Sequence, residues 1–445
     1  MSNRCSRYLL ILLMVLVFIS SPALLFSQSK KNTDTTEDYY SETYLRYDNH
    51  TYQKNIQSVL LINKAAEMSS PMIRFDTDDQ LRLSFDDLNG NFQSYHYTVI
   101  HCNADWQPSD LMYNEYVNGF DDNSISDYEA SSSLSTQKYT HYSLYFPNSN
   151  LIFLKPGNYL LKVYMENQPD NLVITRRFMI YENDITMETS FKSGSSLTSA
   201  YTRQGVNVDL KYPAVDVRSP DDIKICLLQN DRWDNAQCGI QPTYQKDHEQ
   251  IFESTNGDME FNGGSEFRNF DTKTLKSRSM HLSSITVEDN HTHVSLTTDE
   301  TRNRPQYVFD NDLNGNFLIK NQDGTNSDVD ADYCYVSFFL SYPNAEAEAN
   351  IYVTGVLTDW QLDNRNKMKY NKVRHGYECT LYLKQGYYNY EYVMLSDGKN
   401  VSDESPIEGS HAETENSYTI LVYYRPPAQN YDKLIGVKKI NSTKN

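Results

Sequence analysis

Apolar and polar residues alternate in many short runs along this chain. At residues 81–85, 95–99 and 159–163, every second position is Leu, Phe, Tyr or Val. A period of two is typical of a β-strand with one buried face. Turn residues separate the runs, as at Asn89-Gly90 and Pro156-Gly157-Asn158, and Asn-Gly between such runs predicts a β-hairpin. Short strands joined by turns predict an antiparallel β-sandwich.

Two further blocks continue the pattern toward the C-terminus. Residues 206–210 alternate in the first block, and the second contains a predicted hairpin about Lys384-Gln385-Gly386. No segment longer than twelve residues after the N-terminal leader has helical periodicity. We therefore predict an all-β protein built from tandem Ig-like or early-set β-sandwich domains. The predicted segments are a signal peptide at 1–27, a flexible lead-in at 28–50, sandwiches at 51–185, 186–329 and 330–425, and a polar tail at 426–445.

A six-residue sequence occurs twice in the chain. Asp87–Phe92 and Asp312–Phe317 both consist of Asp-Leu-Asn-Gly-Asn-Phe. Six residues are too few to establish an internal duplication. We therefore interpret the two copies as two similar Asn-Gly hairpins.

The first 27 residues have the pattern of a secretory signal peptide. Arg4 and Arg7 precede an unbroken apolar run from Tyr8 to Ile19, and small and turn-forming residues follow it. The run is shorter than the roughly 20 apolar residues that span a bilayer. We therefore expect export with cleavage near Ser27. An uncleaved N-terminal anchor is the alternative interpretation.

The net charge of the chain restricts the classes of molecule that it is expected to bind. The formal net charge is −19, and such an acidic chain is repelled by nucleic acid and by anionic membrane surfaces. We therefore predict no nucleic-acid partner and no direct membrane insertion. The 36 tyrosines suit either a Tyr-rich β-core or a protein-binding surface.

Five cysteines follow the leader, and their spacings match no zinc or haem pattern. Because five is an odd number, at least one thiol is free or pairs with another chain. Cys226 and Cys238 are close enough in sequence to close a short loop, and the pairing is left open. The remaining three are Cys102, Cys334 and Cys379.

Motifs for catalysis are absent from the sequence. It contains no Gly-x-Ser-x-Gly elbow, no phosphate-binding loop and no His-Glu-x-x-His helix motif. A glycosidase needs two carboxyl groups at a set separation, and no pair stands out among the many acidic residues. We therefore predict that the protein is not an enzyme.

Two short patterns raise the question of a metal site. His291 and His293 lie on one face of a predicted strand, but no third ligand accompanies them, so an exposed strand face is the preferred interpretation. Asp310, Asp312 and Asn314 begin like a calcium loop, yet the twelfth position, which should carry an acid, is Asn321. We therefore predict no metal and no cofactor.

Several longer motifs, in order along the chain, resemble one known family. They are Tyr97–Ser109 with its sequence Tyr-Thr-Val-Ile-His-Cys-Asn-Ala-Asp-Trp-Gln-Pro-Ser, Glu115–Phe120, Tyr139–Tyr142, Pro156–Tyr159, Arg176–Phe178, Lys384–Tyr390 and Glu408–Tyr418. Together they resemble the plug protein family of the Bacteroidota type IX secretion system. The resemblance extends from about residue 50 to residue 436.

The resemblance implies a location, a partner and a role. Plug proteins of this family are periplasmic and dock on the periplasmic mouth of the very large outer-membrane β-barrel translocon of the type IX system. They are thought to close it while no cargo is engaged. Trp106, Tyr116 and Tyr388 are the candidate partner-binding residues. For Trp106, anchoring its loop in the core is the favoured alternative.

A second resemblance covers residues 345–408, which are similar to early-set sandwiches of the glycogen-binding type. In that family the Trp that corresponds to Trp360 stacks on sugar. A second stacking Trp is replaced here by Lys399-Asn400, and a sugar-binding Lys is replaced by Glu391. We interpret the module as a retained scaffold. A carbohydrate-binding accessory protein of glycan uptake remains the alternative function.

Overall fold

β-Strands form most of the regular structure in the computed structural model, which describes residues 41, 43–255, 257–343, 349–399 and 401–443. The predicted all-β class with sandwich domains is confirmed. Within these ranges, none of the helices has both the length and the apolar character that spanning a bilayer requires. The predicted signal peptide and residues 28–40 of the predicted lead-in lie outside the described residues. The α-helices found in the described ranges are α1 Tyr113–Tyr116, α2 Ser327–Asp330 and α3 Ser405–Glu408.

The first sandwich has two sheets and a small ribbon. Its strands are β1 His50–Thr51, β2 Ile56–Asn63, β3 Met72–Arg74, β4 Leu81–Asp87, β5 Tyr95–Cys102, β6 Val117–Gly119, β7 Asn123–Ser124, β8 Asp127–Ala130, β9 Thr140–Phe146, β10 Leu151–Phe153, β11 Gly157–Met165 and β12 Gln168–Tyr181. One sheet has the order β1-β12-β11-β5-β7, with β3 beside β12, and the other has the order β2-β4-β9-β8. β6 and β10 pair only with each other.

Aromatic rings fill the core between these two sheets. Phe85 stacks on Tyr142 with ring centroids 5.1 Å apart, and Tyr159 stacks on Phe178 at 5.2 Å. A buried phenol keeps its hydroxyl satisfied, and the Tyr159 hydroxyl donates to the Lys155 carbonyl at 2.7 Å. Part of the high tyrosine content therefore serves the core.

The second and third sandwiches follow along the chain. The second begins with β13 Thr186–Ser193, β14 Arg203–Lys211, β15 Ile223–Gln229, β16 Gln237–Ile240, β17 Tyr244–Lys246, β18 Glu249–Phe252 and β19 Glu260–Asn262. The third contains β20 Arg268–Asp271, β21 Leu282–Glu288, β22 His291–Leu296, β23 Asp299–Glu300, β24 Phe317–Ile319, β25 Tyr333–Ser341, β26 Ala349–Thr354, β27 Lys369–Asn371, β28 Gly376–Lys384 and β29 Gly386–Ser396. β30 Ser417–Tyr424 and β31 Lys433–Asn441 come last.

The second sandwich is assembled from two separate parts of the chain. One sheet has the order β13-β14-β18-β17, with β19 on β14, and the other has the order β16-β15-β30-β31. Val208, Ile225 and Ile420 belong to one buried core. The third sandwich, with sheets β20-β29-β24 and β21-β22-β25-β28-β27, is therefore inserted between β19 and β30.

This pairing differs from the predicted domain boundaries. β30 falls within the predicted third sandwich, yet it pairs with β15 from Ile223↔Tyr424 to Gln229↔Tyr418. β31 falls within the predicted polar tail, yet Leu434 is buried there. The lysines of β31 gave this segment a polar composition that concealed a strand, because a lysine can bury its stem and keep its charge in water.

Two predicted hairpins are also wrong. The turn at Asn89-Gly90 joins β4 to β5, and Lys384-Gln385-Gly386 joins β28 to β29, but each pair of strands lies in two different sheets. The local turn geometry itself is present, because Gly90 has a φ of +69°. An Asn-Gly turn reverses the chain without determining which sheet receives the next strand.

The repeated six-residue sequence does adopt one local conformation. In the first copy the Asp87 carboxylate accepts a hydrogen bond from the backbone N–H of Asn89 at 3.0 Å. In the second copy the Asp312 carboxylate accepts one from the backbone N–H of Asn314 at 2.8 Å. Such Asx turns form from local sequence alone. The second copy leads into β24, which pairs with β29, so it is not a hairpin either.

The end of the predicted flexible lead-in is part of the first sandwich. His50 and Thr51 of β1 pair with Thr175 and Ile174 of β12. The Arg177 side chain also donates to the Tyr47 carbonyl at 2.6 Å. The folded unit therefore begins before residue 50.

We expect Leu434→Ala to lower the free energy of unfolding by about 2–5 kcal/mol, the usual cost of truncating a buried leucine. Leu434 is 0% exposed. The matched control is the neighbouring Lys433→Ala, which we expect to cost less than about 1 kcal/mol because the ion pair of Lys433 with Glu182, at 3.9 Å, is long and partly exposed. Urea unfolding of both variants measures the difference. Equal small effects would contradict a structural role for β31.

Candidate interaction surface

The β6–β10 ribbon presents apolar side chains to solvent. Its inward side chains, Val117, Leu151 and Phe153, are buried in the first core. Ile152 lies opposite Asn118 on the outward face, and side chains two positions apart on a strand share a face. The outward face therefore carries three large apolar residues, which we call the apolar strip: Phe120, Ile152 and Leu154, with exposures of 66%, 45% and 41%.

Hydrogen bonds hold the ribbon in place. The Phe120 amide donates to the Asn150 carbonyl at 3.1 Å, and the Leu154 amide donates to the Tyr116 carbonyl at 2.9 Å. At Gly119, a Cβ would lie 2.0 Å from the Asn150 carbonyl oxygen. Only glycine permits this close approach of the two strands, so the ribbon requires a glycine at position 119.

The helix α1 supports the ribbon from one end. The Glu115 carboxylate accepts from the Met112 amide at 2.7 Å at the start of α1. The Tyr113 hydroxyl donates to the Phe120 carbonyl at 2.6 Å. Met112 is itself exposed and adds apolar surface beside α1.

Exposed acidic side chains lie close in sequence to Phe120 of the apolar strip. The exposed residues Asp110, Glu115, Asp121 and Asp122 lie in the segment that contains α1 and β6. Asp122 accepts from His96 at 2.6 Å and from the Tyr164 hydroxyl at 2.8 Å, and these hydrogen bonds lower the pKa of its carboxyl. An apolar centre with a charged rim is the usual anatomy of a protein interface.

Histidine 101 is buried close to α1 and β10. Its ring lies 5.7 Å from that of Tyr116 and 4.9 Å from that of Tyr159. Nδ1 accepts from the Ser109 hydroxyl at 2.9 Å, and Nε2 donates to the Pro156 carbonyl at 3.4 Å. Burial lowers the pKa of His101 to about 4, so the ring is neutral at physiological pH.

Trp106 and Tyr116, two of the predicted contacts, are buried and do not face solvent. Trp106 lies in a cluster that joins the first and second sandwiches. Its ring is 5.1 Å from that of Trp233, and the Arg177 guanidinium lies 4.4 Å above it. The Tyr116 hydroxyl donates to the Val99 carbonyl at 3.3 Å. Both residues support the fold beneath the surface, as the core alternative for Trp106 expected.

Tyr388, the third predicted contact, is also buried. Its ring stacks between Phe270 and Phe317, with centroid distances of 5.1 Å to each. Its hydroxyl donates to the Lys384 carbonyl. These contacts place Tyr388 in the core of the third sandwich.

Protein groups contact the half-buried Trp360 ring at the sugar-stacking position of the third sandwich. The Arg232 guanidinium lies 4.1 Å above the ring of Trp360, and Gly315 is packed so closely that a Cβ there would lie 2.7 Å from the ring. Arg232 also pairs with Glu391 at 3.0 Å. Burial raises the pKa of Glu391, although Arg232 opposes the shift. Lys399 is exposed, and Asn400 lies outside the described residues.

The five cysteines after the leader and the His291/His293 pair belong to the strands and their packing. Cys226 and Cys238 lie opposite each other on β15 and β16 and form a disulfide. The other three cysteines after the leader are free and buried. His293 stacks on Tyr335 at 5.0 Å. Among the described residues, neither His291 nor His293 belongs to a group of three metal-ligating side chains.

The residues of the predicted calcium loop separate. Asp310 is exposed, whereas Asp312 turns inward and accepts from the Phe267 and Asn314 amides. Asn321 lies elsewhere and donates to the Asp330 carbonyl at 2.7 Å. Burial raises the pKa of Asp312 to about 7.

Comparison with known proteins agrees with the resemblance carried by the sequence motifs. The family model described as the type 9 secretion system plug protein 1st domain matches residues 56–182. The solved structure of a hypothetical protein from Parabacteroides merdae ATCC 43184 is 32% identical with a TM-score of 0.85, and the match covers 89% of this chain and 100% of that chain. This chain belongs to the type 9 secretion system plug protein family.

The matched family domain coincides with the first sandwich, which carries the apolar strip. Membership gives this plug-family protein a role connected with type IX secretion. The structure of dimeric latent PorU from Porphyromonas gingivalis is 8% identical with a TM-score of 0.13, over 88% of this chain and 34% of that chain, and it carries no structural argument. No curated protein matches the chain.

Sequence reasoning did not find the apolar strip. Phe120 ends one of the family motifs, but Ile152 and Leu154 belong to the apolar run 151–154, in which every residue is apolar. Such a run does not reveal which face is exposed. Gly119, next to Phe120, is the one feature of the sequence that indicates the ribbon, because a glycine within a strand often marks the close approach of another backbone.

We expect stability to fall as the pH falls from 7 to 5.5, because His101 stays neutral when folded and takes up a proton when unfolded. Its folded pKa of about 4 lies below the usual histidine pKa of 6.5, so the stabilisation is present above pH 6.5 and is lost toward pH 4. The expected loss from this residue is about 1 kcal/mol. Urea unfolding of the wild type and His101→Asn at both pH values measures it. His50, whose pKa is similarly lowered, is present in both proteins, so its contribution to the loss is the same in both. An equal loss of stability in His101→Asn would therefore contradict the assignment to His101.

Proposed function

We propose that this protein is exported to the periplasm, docks on the periplasmic mouth of the type IX outer-membrane β-barrel translocon and closes it while no cargo is engaged. Docking is through the apolar strip of the first sandwich. The observation that carries the proposal is the coincidence of the strip with the domain that matches the plug family. Cleavage of the leader near Ser27 accompanies export.

The geometry of the strip suits a stable contact. Phe120, Ile152 and Leu154 are held by a hydrogen-bonded ribbon over a packed core, so little conformational entropy is lost when a partner covers them. Stable protein interfaces bury on the order of 1,200–2,000 Å², so the strip would be the centre of a larger footprint. The acidic side chains nearby would then face polar or basic groups at the rim.

The alternative, carbohydrate binding by the third sandwich, is less well supported. A sugar-stacking platform needs an open aromatic face, and the Arg232 guanidinium occupies one face of the Trp360 ring at 4.1 Å. Glu391 and Lys399 stand where that family places a Lys and a second Trp. Closing a pore requires no chemistry, which agrees with the absence of catalytic motifs from the sequence.

Deletion of the gene should make the outer membrane permeable to vancomycin, because an unplugged translocon would leave a wide pore. The double deletion that also lacks the translocon should not leak. Vancomycin sensitivity of both strains measures this. If the single deletion is no more sensitive than the wild type, or if the double deletion leaks equally, the protein is not a plug.

Complementation of the single deletion locates the docking surface. Wild-type protein should restore resistance, and the double variant Phe120→Ser with Ile152→Ser should fail while accumulating to the wild-type level. The matched control is Val287→Ser with Val373→Ser, which removes two exposed apolar residues of the third sandwich and should restore resistance. Full restoration by the strip variant would place docking elsewhere.

A further inference from the structure

Three carboxylates from distant parts of the chain meet between the second and third sandwiches. Glu266 lies in the connection from β19 to β20, and Glu415 lies in the returning connection from α3 to β30. Asp312 lies in the long irregular segment between β23 and β24. One carboxylate oxygen from each residue lies within 4.8 Å of those from the other two.

One of these carboxylates has a buried oxygen without a hydrogen-bond donor. Glu266 is 2% exposed. Its Oε1 accepts from the Tyr307 hydroxyl and from the Glu415 amide, but its Oε2 is buried and accepts from no group. Leaving a charged acceptor buried without a partner is costly. This oxygen therefore points to a ligand that neutralises it.

A second unsatisfied acceptor stands beside the cluster. Asn314 donates through Nδ2 to Glu415 at 3.1 Å, while its Oδ1 is buried and accepts from no group. The side-chain atoms without partners in this cluster are therefore oxygens. They match the ligand preference of a hard cation rather than that of an anion.

Basic side chains do not neutralise the cluster. In the ranges that the structure describes, no lysine, arginine or histidine forms an ion pair with Glu266, Asp312 or Glu415. The nearby Arg268 and Arg302 bind the Glu408 carboxylate instead. Arg302 reaches only the backbone carbonyl of Glu266, at 2.8 Å.

We propose that Glu266, Asp312 and Glu415 bind a divalent metal ion, with Ca²⁺ as the preferred ion and Asn314 Oδ1 as a further ligand. Calcium accepts six to eight oxygen ligands in flexible geometry, whereas magnesium keeps several waters and demands octahedral geometry. A buried set of protein carboxylates and an amide oxygen suits calcium better. From the sequence we predicted no metal, because Glu266 and Glu415 are far from Asp312 along the chain.

Ion binding would connect the two crossings between the second and third sandwiches. It would also fix the irregular segment, which is attached to the cluster through Tyr307 and Asp312. Val308 and Phe309 lie between these two attachment points and are exposed, at 66% and 62%. The ion therefore stabilises a segment that presents apolar side chains, in addition to the junction itself.

Thermal unfolding of the full exported chain tests the proposal. After treatment with a chelator, addition of about 5 mM CaCl₂, above the ~10⁻⁴–10⁻³ M range of extracellular calcium sites, should raise the melting temperature. MgCl₂ at the same concentration should raise it less. An unchanged melting temperature in CaCl₂ would overturn the site, and an equal rise in MgCl₂ would overturn the choice of calcium.

Glu266→Gln separates loss of the ion from loss of the fold. The glutamine keeps an oxygen for Tyr307 and for the Glu415 amide and removes the buried charge, so the variant should fold in chelator but show no calcium-dependent rise. Glu415→Gln should likewise fold in chelator and show no calcium-dependent rise in melting temperature. The matched control is Glu413→Gln, which removes one charge at an exposed position two residues away and should retain the wild-type rise. A wild-type rise in Glu266→Gln would overturn the assignment.

Discussion

A buried ion pair between Asp86 and Lys384 connects the first sandwich to the third. The two groups are 2.5 Å apart, and Asp86 is 0% and Lys384 2% exposed. Burial alone would raise the pKa of Asp86, but Lys384 and His141 overcome this and hold it low. The Tyr333 hydroxyl completes the site by donating to Asp86 at 2.6 Å. Removing one partner would leave an uncompensated buried charge, so the arrangement of these sandwiches depends on both.

Two more ion pairs connect the third sandwich to the first and to the second. Arg176 of the first pairs with Asp359 of the third at 3.1 Å, and Arg232 of the second pairs with Glu391 of the third at 3.0 Å. Ion pairs of this kind are geometrically specific, because a displaced partner loses its compensation for burial. They favour one relative placement of the sandwiches. A protein proposed to close a pore requires such a fixed shape, since its footprint must match the pore mouth.

Local sequence predicted the strands well and their partners poorly. The alternation at 81–85 and 95–99 identified β4 and β5, because burial of one face imposes a period of two. The Asn-Gly turn between them was correct as a turn and wrong as a hairpin. The pairing of β15 with β30 joins residues about 190 to 200 positions apart, and no local pattern specifies that contact. The family motifs identified the family, but the three aromatic residues chosen as contacts proved to be buried, because motif residues also maintain the fold.

The proposed docking on the translocon depends on the exposed face of the β6–β10 ribbon. Site-specific photo-crosslinking in living cells tests it most directly, with a photoreactive phenylalanine derivative replacing Ile152 and, as the control, Val287. We predict that the protein labelled at 152 forms an adduct with the type IX translocon and that the protein labelled at 287 does not. An adduct from position 287 with none from position 152 would contradict it.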